Sequence, residues 1–402
     1  MKTNFFLFFQ WIVNIITVFI NFALTILIAN KLEPEKFGLY SLLIVFASLG
    51  SIFIDLGAKN LILSKLSAYK NLSLKSDRVR KVYLRTFIFS LFFFTIIYLF
   101  SIYFLDYDKK LIFFILLCFF LVVRTSHKSF VFKSIGNFKN DIIWQALFKI
   151  FQLVSIVGLF YFIDDVKIIQ IFLFWIFSLI ISNFFYRINI LDIILIKNFF
   201  AKFRFNYFFN EIKYFAIIDF FTFIYLRSSF FILEYLDVSR ENIGIFSIVF
   251  KNFEAVALFI TPLSIYLYKK IQIKKNLSLS LKKIKYISLF FLVGIIFSFL
   301  HFYLSDIYLE IFFSSSYGNA LQPMKLLSYS FPFVFTNSIL SYILLTEGKQ
   351  KFFALAVFIC SIINLLFNFY YIPADGMLAS IVAIIITEFT LLVLLMYFLI
   401  RK

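Results

Sequence analysis

Basic residues in this chain fall in every other loop. Of its 39 Lys and Arg residues, 26 lie within or at the edges of five alternate loops between twelve apolar segments. The intervening loops hold only Lys31, Lys36, Lys109, Lys110, Lys167 and Arg240. Loops rich in Lys and Arg stay on the cytoplasmic side of a membrane. The alternation therefore prescribes an all-α membrane protein of the bacterial inner membrane, with twelve transmembrane helices and both termini cytoplasmic.

The apolar segments are long enough for this. A spanning helix needs about 20 mostly apolar residues, and such stretches run near 5–30, 38–58, 83–105, 111–131, 141–163, 168–190, 212–233, 243–268, 286–304, 324–346, 352–372 and 376–400. The first ends at Ile28-Ala29-Asn30 without a small-residue cleavage site, so it reads as a retained helix rather than a signal peptide. A net charge of +18 would suggest nucleic acid in a soluble protein. Here the basic excess lies on one side. The inner loops carry Asp77, Asp141, Asp192, Glu211 and Glu347 as their acids, whereas the outer loops are net acidic, with Glu33, Asp106, Asp164 and Asp306 among them. The charge is thus topological, facing anionic lipid head groups, and nucleic acid is excluded as a partner. Cys118 and Cys360 sit in separate spans with no CxxC and no His cluster, so neither a disulfide framework nor a metal site is expected, and no cofactor is implied.

No soluble domain interrupts the spans, and the chain repeats itself. Gly38-Leu39-Tyr40-Ser41 opens the second span after an acidic outer loop, and Gly244-Ile245-Phe246-Ser247 opens the eighth after another. Phe132-Lys133-Ser134-Ile135-Gly136 leads into span five as Leu344-Leu345-Thr346-Glu347-Gly348 leads into span eleven, and those spans end at Asp164 and Asp375. Six spans separate each pair, which preserves orientation. The halves therefore read as parallel repeats, with an N-terminal six-helix lobe over 1–200 and a C-terminal one over 201–402. Transporters built from such repeats bind substrate between the halves.

Few charges remain inside the spans: Asp55, Lys149, Asp219, Arg227, Lys251, Glu254, Lys325 and Glu388. A charge at the bilayer centre costs about 2.5–3.5 kcal/mol on insertion scales, so such groups usually face a bundle interior or a wet cavity. Asp55 and Lys325 lie near span ends, within reach of the interface. Arg227 and Lys251 occupy similar depths in spans seven and eight. Ser247, Lys251, Glu254 and Thr261 share one helical face, and Gln10, Asn14, Thr17, Asn21 and Thr25 form a stripe on span one. Two readings stay open for these residues. They line a hydrophilic cavity as substrate contacts, or Lys251 and Glu254 neutralise one another while the amides act as interhelical glue. Pro262 and Pro332 are expected to break the ladders of spans eight and ten.

Three stretches resemble a known family. The first runs from Leu32-Glu33-Pro34-Glu35-Lys36-Phe37-Gly38-Leu39-Tyr40-Ser41 through Asp55-Leu56-Gly57. The second is Ile243-Gly244-Ile245-Phe246-Ser247, followed by a helix holding Pro262. The third runs from Glu347-Gly348-Lys349 through Asn364-Leu365-Leu366-Phe367-Asn368 to Ile372-Pro373 and Gly376. Over nearly its whole length the chain resembles the O-antigen and polysaccharide flippases (Wzx-like), a branch of the multidrug/oligosaccharidyl-lipid/polysaccharide (MOP) exporter superfamily. The resemblance implies two six-helix lobes about a central cavity lined mainly by helices one, two, seven and eight. It also implies transport of an undecaprenyl-pyrophosphate-linked oligosaccharide, an O-antigen or capsule repeat unit, to the periplasmic leaflet by alternating access. Membrane lipids and other polysaccharide-assembly proteins are the further partners expected.

The residues themselves nominate Arg227, Lys251 and Lys149, with Asn14, Asn21 and Gln10, as cavity contacts for that cargo. Asp219, Glu254 and Glu388 are nominated for ion coupling or for holding the bases. The alternatives are an ion-coupled multidrug exporter of the same superfamily and, from another class, a membrane polysaccharide polymerase or ligase. An exporter of cations wants acids to dominate its cavity, whereas acids and bases balance here. A polymerase or ligase wants a long outer catalytic loop. The two histidines, His127 in a basic inner loop and His301 near an outer helix end, lack a nucleophile or carboxylate arrangement for acid–base work. No phosphate-binding Gly-rich loop is present. The expectation is a transporter, not an enzyme.

Overall fold

A computed structural model describes residues 2–59, 62, 66, 77–104, 107–135, 137–184, 205–273 and 281–400; for some of these, among them Gln10, Asn14, Thr261 and Pro262, only the backbone is described. The described residues are helical, with no strand among them. The helices are α1 (Lys2–Asp55), α2 (Asp77–Phe104), α3 (Lys109–Ser134), α4 (Phe138–Phe162), α5 (Ile168–Phe184) and α6 (Phe205–Tyr235). They continue with α7 (Arg240–Ile273), α8 (Leu281–Phe312), the short α9 (Leu321–Leu327), α10 (Phe331–Thr346), α11 (Gln350–Asp375) and α12 (Met377–Ile400).

Eight stretches among these are long and apolar enough to cross a membrane, which makes the chain a multi-pass membrane protein. The first, Ile16–Asp55, takes in parts of both the 5–30 and the 38–58 segments, because α1 is continuous except at Glu33, where φ is 61° and ψ 167°. The next residue is Pro34, whose ring disfavours helical geometry in the residue before it. The expected 168–190 segment corresponds to a shorter apolar helix, Ile168–Asn183. The 324–346 segment is broken as its proline predicts. A 3-10 turn, Ser328–Ser330, separates α9 from α10, and Pro332 sits in the first turn of α10, where its missing N–H costs nothing. The boundary expected at 200/201 lies outside the described residues.

The chain divides into two compact units. Unit 1 is Met1–Asn21 with Leu43–Asp219, and unit 2 is Phe22–Leu42 with Phe220–Lys402. Unit 2 packs around Phe335, Ile339, Leu340, Ile343, Leu344, Cys360 and Leu395, all fully enclosed. Its α8 is apolar on every side and leaves Leu292, Phe299, Leu300 and Tyr303 uncovered, as a helix bathed in lipid tails requires. Unit 1 packs Ile54, Phe120 and Val123 together between α1, α2 and α3. Cys118 and Cys360 are free and buried.

Lipid tails are as apolar as leucine, so helices in a bilayer associate through close packing and polar contacts rather than through hydrophobic burial. The segment Phe22–Leu42 joins unit 2 by these means. A Cβ added to Gly38 would meet the Arg240 carbonyl oxygen at 2.0 Å, and one added to Gly244 would meet the Pro34 carbonyl oxygen at 2.0 Å. One turn further along, the Ser247 hydroxyl donates to Ser41 Oγ at 2.6 Å. Gly38 and Gly244, Ser41 and Ser247, and Pro34 and Arg240 are each separated by the same 206 positions. The repeated Gly-x-x-Ser segments thus meet one another about a local two-fold relation. Around this junction the Tyr317 hydroxyl donates to the Ala29 carbonyl at 3.0 Å. The Asn30 side chain bridges the Phe312 carbonyl and the Ser314 N–H, at 2.7 and 3.1 Å.

Candidate functional site

Within unit 2, α6 and α7 are joined by a short connection, and their first and last few turns run alongside one another. Arg227 lies eight residues before the end of α6, and Lys251 and Glu254 lie three residues apart on one face of α7. The Arg227 guanidinium donates to Glu254 Oε1 in a very short contact, and Lys251 Nζ donates to Oε2 at 3.0 Å. Each carboxylate oxygen is thus taken by a different base. The three side chains keep 21%, 30% and 24% of their surface uncovered, in the order Arg227, Lys251, Glu254. Arg227 also lies near the faces of Phe223 and Phe250, with its guanidinium carbon 5.9 Å from each ring centre. The cluster has one more positive than negative charge.

Glu388 stands apart from that cluster, deep in unit 2. The Asn337 side-chain amide donates to its carboxylate at 2.8 Å and to its backbone carbonyl at 2.9 Å, and the Tyr225 hydroxyl also bonds to the carboxylate. Nearby, Asn364 Oδ1 accepts from Ser228 at 3.0 Å and from Asn368 at 2.8 Å, and Ser380 donates to Asn368 at 3.0 Å. The paired asparagines of α11 therefore tie α6, α11 and α12 together through neutral groups.

Unit 1 holds two further polar groups. Lys149 donates to Asn21 at 2.7 Å and to Gln152 at 2.8 Å. The second group gathers Asp55, Lys59, Arg124, His127 and Asp219. Arg124 Nη1 lies 2.9 Å from His127 Nδ1, and His127 Nε2 lies 2.6 Å from Asp55 Oδ1. A guanidinium can only donate, so Nδ1 accepts, the ring proton sits on Nε2, and Nε2–H donates to Asp55. Arg124 also donates to Thr86 at 3.3 Å and to the Tyr83 carbonyl at 3.4 Å, with its guanidinium 4.2 Å above the Tyr83 ring. Lys59, just beyond the span, bridges Asp55 at 3.5 Å and Asp219 at 3.3 Å. Burial opposes the Lys59 charge, but the carboxylates of Asp219 and Asp55 outweigh it and raise the ammonium above its ordinary pKa.

The sequence matches no family model and no curated protein. Solved structures do match. The chain is similar to a multidrug resistance MATE family transporter of the MOP superfamily in an inward-facing conformation, with a TM-score of 0.71 at 11% identity over 96% of this chain and 94% of that one. It is similar to the lipid II flippase MurJ in an inward closed conformation, with a TM-score of 0.69 at 16% identity over 98% and 86% of the two chains. A MOP superfamily transporter from Pyrococcus furiosus, described as having a binding pocket of reverse polarity, gives 0.55 at 11% identity over 98% and 95%. This chain has the MOP transporter fold.

Within that fold, the nominated residues separate into distinct settings. Arg227, Lys251 and Glu254 form one ion cluster in unit 2, Lys149 and Asn21 form a hydrogen-bonded pair in unit 1, and Asp219 is engaged by Lys59. Glu388 is met by Asn337 and Tyr225. The side chains of Gln10 and Asn14 lie outside the described residues. Lys325, at a span end, pairs with Asp306 at 2.6 Å.

Sequence reasoning missed the Arg124–His127–Asp55 network. It placed His127 in an inner loop, whereas α3 continues to Ser134 and buries that ring completely. The available signal was the spacing of Arg124, His127 and Lys128, which puts all three on one helical face, combined with an acid, Asp55, at the matching end of another span.

Proposed function

We propose that this protein is a flippase that carries an undecaprenyl-pyrophosphate-linked oligosaccharide from the cytoplasmic to the periplasmic leaflet of the bacterial inner membrane by alternating access, with both termini cytoplasmic. The observation that carries this reading is the convergence of Arg227 and Lys251 at one partly uncovered point of α6 and α7. Transferring a single unpaired ion into a low-dielectric medium has an idealised cost of order 20 kcal/mol, so a pyrophosphate needs fixed cations along its route. Arg227 suits phosphate because its planar fork offers paired donors, while Lys251 acts as a point charge. Lys149 supplies a further cationic position, and Asn21, with Gln10 and Asn14 on the same stripe, offers amides to sugar hydroxyls. The fold shared with a lipid II flippase supports a lipid-linked cargo, and an O-antigen or capsule unit is the glycan class favoured by the sequence resemblance.

One feature favours the second reading, an ion-coupled drug exporter. Glu388 is a buried acid that, among the described residues, is met by an amide and a hydroxyl rather than by a base. In the flippase reading the same residue is the coupling-ion position, whereas Asp219 and Glu254 are held by bases. The two readings separate in cells. Deletion of the gene should strand lipid-linked repeat units on the inner leaflet, and Arg227→Ala or Lys251→Ala should abolish glycan export while the protein still inserts at normal abundance. Unaltered surface glycan after deletion, together with lost efflux of cationic dyes, would transfer the assignment to the drug exporter.

A further inference from the structure

The cations proposed to hold the cargo are already occupied. Arg227 and Lys251 each bond to a separate oxygen of Glu254. That is the arrangement two bases would adopt around an anionic head group, with one donor to each of two oxygens. We infer that Glu254 is a built-in counter-anion, whose carboxylate fills the cargo head group's position between Arg227 and Lys251 whenever no cargo is bound. This rests on the flippase reading and specifies how its site is regulated.

Three observations support the inference. First, two cations at one point inside a membrane repel each other strongly at low dielectric, so an empty site needs a neutralising partner between transport rounds. Second, Glu254 is on the same helix as Lys251, three residues away. It therefore competes intramolecularly, at high effective concentration, without requiring any movement of the backbone. Third, the cluster is reachable. About a fifth to a third of each side chain is uncovered. The Asp55 carboxylate in unit 1, by contrast, is locked to a fully buried histidine.

A tethered competitor weakens binding and helps release. An arriving diphosphate brings more negative charge than one carboxylate and displaces it. On the outer side, Glu254 returns to the bases and expels the head group. Neutralising Glu254 should therefore trap cargo rather than lose it.

The test uses the full chain purified in lipid nanodiscs, with inorganic pyrophosphate and a short polyprenyl pyrophosphate as probes. Glu254→Gln should bind both probes roughly three- to tenfold more tightly than the unmodified protein, the size expected for removing one charge at a partly exposed pair. Glu254→Asp, which keeps the charge, should gain less affinity than Glu254→Gln, and a merely structural role for Glu254 would not produce tighter binding in the Gln variant. Glycan export in cells should fall in Glu254→Gln despite the tighter binding. Equal or weaker binding by both Glu254→Gln and a second neutral variant, Glu254→Ser, overturns the counter-anion. If Arg227→Ala still weakens binding in that case, the cargo reading survives. If Arg227→Ala and Lys251→Ala bind both probes like the unmodified protein, the cargo reading falls and this inference falls with it.

Discussion

Both units place carboxylates among bases, yet they do so in opposite ways. In unit 1, Asp55 accepts from a histidine that has no uncovered surface and is itself held by Arg124, which also donates to Thr86 and the Tyr83 carbonyl. In unit 2, Glu254 meets two long flexible bases whose side chains are partly uncovered. The first arrangement fixes its carboxylate through a fully enclosed ring, while its outer pair, Lys59 and Asp219, keeps 34% and 32% of its side-chain surface uncovered. In the second, Arg227 and Lys251 meet Glu254 through side-chain ends that are partly uncovered, so an incoming anion can exchange with that carboxylate. The number of intramembrane charges is therefore a poor guide to a transport site, and the identity of their partners is a better one.

The comparison breaks if the two clusters respond alike to loss of an acid. Asp55→Ala leaves the His127 N–H without its acceptor and Lys59 with Asp219 alone among the two carboxylates it bridges. Removing one member of a buried charged network typically costs about 3–5 kcal/mol. The expected result is a large fall in the thermal unfolding midpoint of the detergent-purified protein and low abundance in the membrane. Asp55→Asn, which keeps an acceptor for His127, should lose less than half as much. An unfolding midpoint unchanged by Asp55→Ala would remove the structural role assigned to the unit 1 cluster.

A smaller loss is expected where no charge is involved. Gly38→Ala sets a methyl group against the Arg240 carbonyl, at a distance no atom pair tolerates without a backbone shift. Overpacking of this kind typically costs about 1–3 kcal/mol. Because the geometry is reciprocal, Gly244→Ala should cost a similar amount through Pro34. The two unfolding midpoints, measured side by side, test that symmetry, and a large cost at one position with none at the other would refute it.

Much of the fold was legible because spans are read from length and hydropathy, and the break before α10 was expected from Pro332, whereas α7 continues past Pro262 to Ile273. The Gly-x-x-Ser repeats could be read as sequence, and the structure adds that they touch. The partners of individual charges were not legible. Helices that are apolar on all sides, such as α8, give little indication of which face turns inward. The Asp55–His127 contact joins residues 72 positions apart, so no spacing rule brings them together. The expected 111–131 span agrees with α3 to within three residues at each end, but His127 was taken for a residue of the basic inner loop because its buried partner is not visible in the sequence. For Lys251 and Glu254 the local spacing was enough to expect their pairing, while the share of Glu254 taken by Arg227 depends on how α6 lies against α7.

The smallest effect on stability is expected at Arg227, and there the comparison can be sharpened most. The cluster is partly exposed, so losing one of its contacts should cost no more than about 1 kcal/mol. Arg227→Lys should therefore leave abundance and unfolding midpoint close to those of the unmodified protein. Transport should not be spared, because an ammonium cannot present two parallel donors to a phosphate and is more strongly hydrated than a guanidinium. Lys251→Arg keeps a cation and adds donors, so it should be the milder change. Export assayed from surface glycan should then rank the unmodified protein and Lys251→Arg above Arg227→Lys, and Arg227→Lys above Arg227→Ala, with all four folded alike. If Arg227→Lys exports at the unmodified rate, paired-donor recognition is not what Arg227 contributes, and its role reduces to charge.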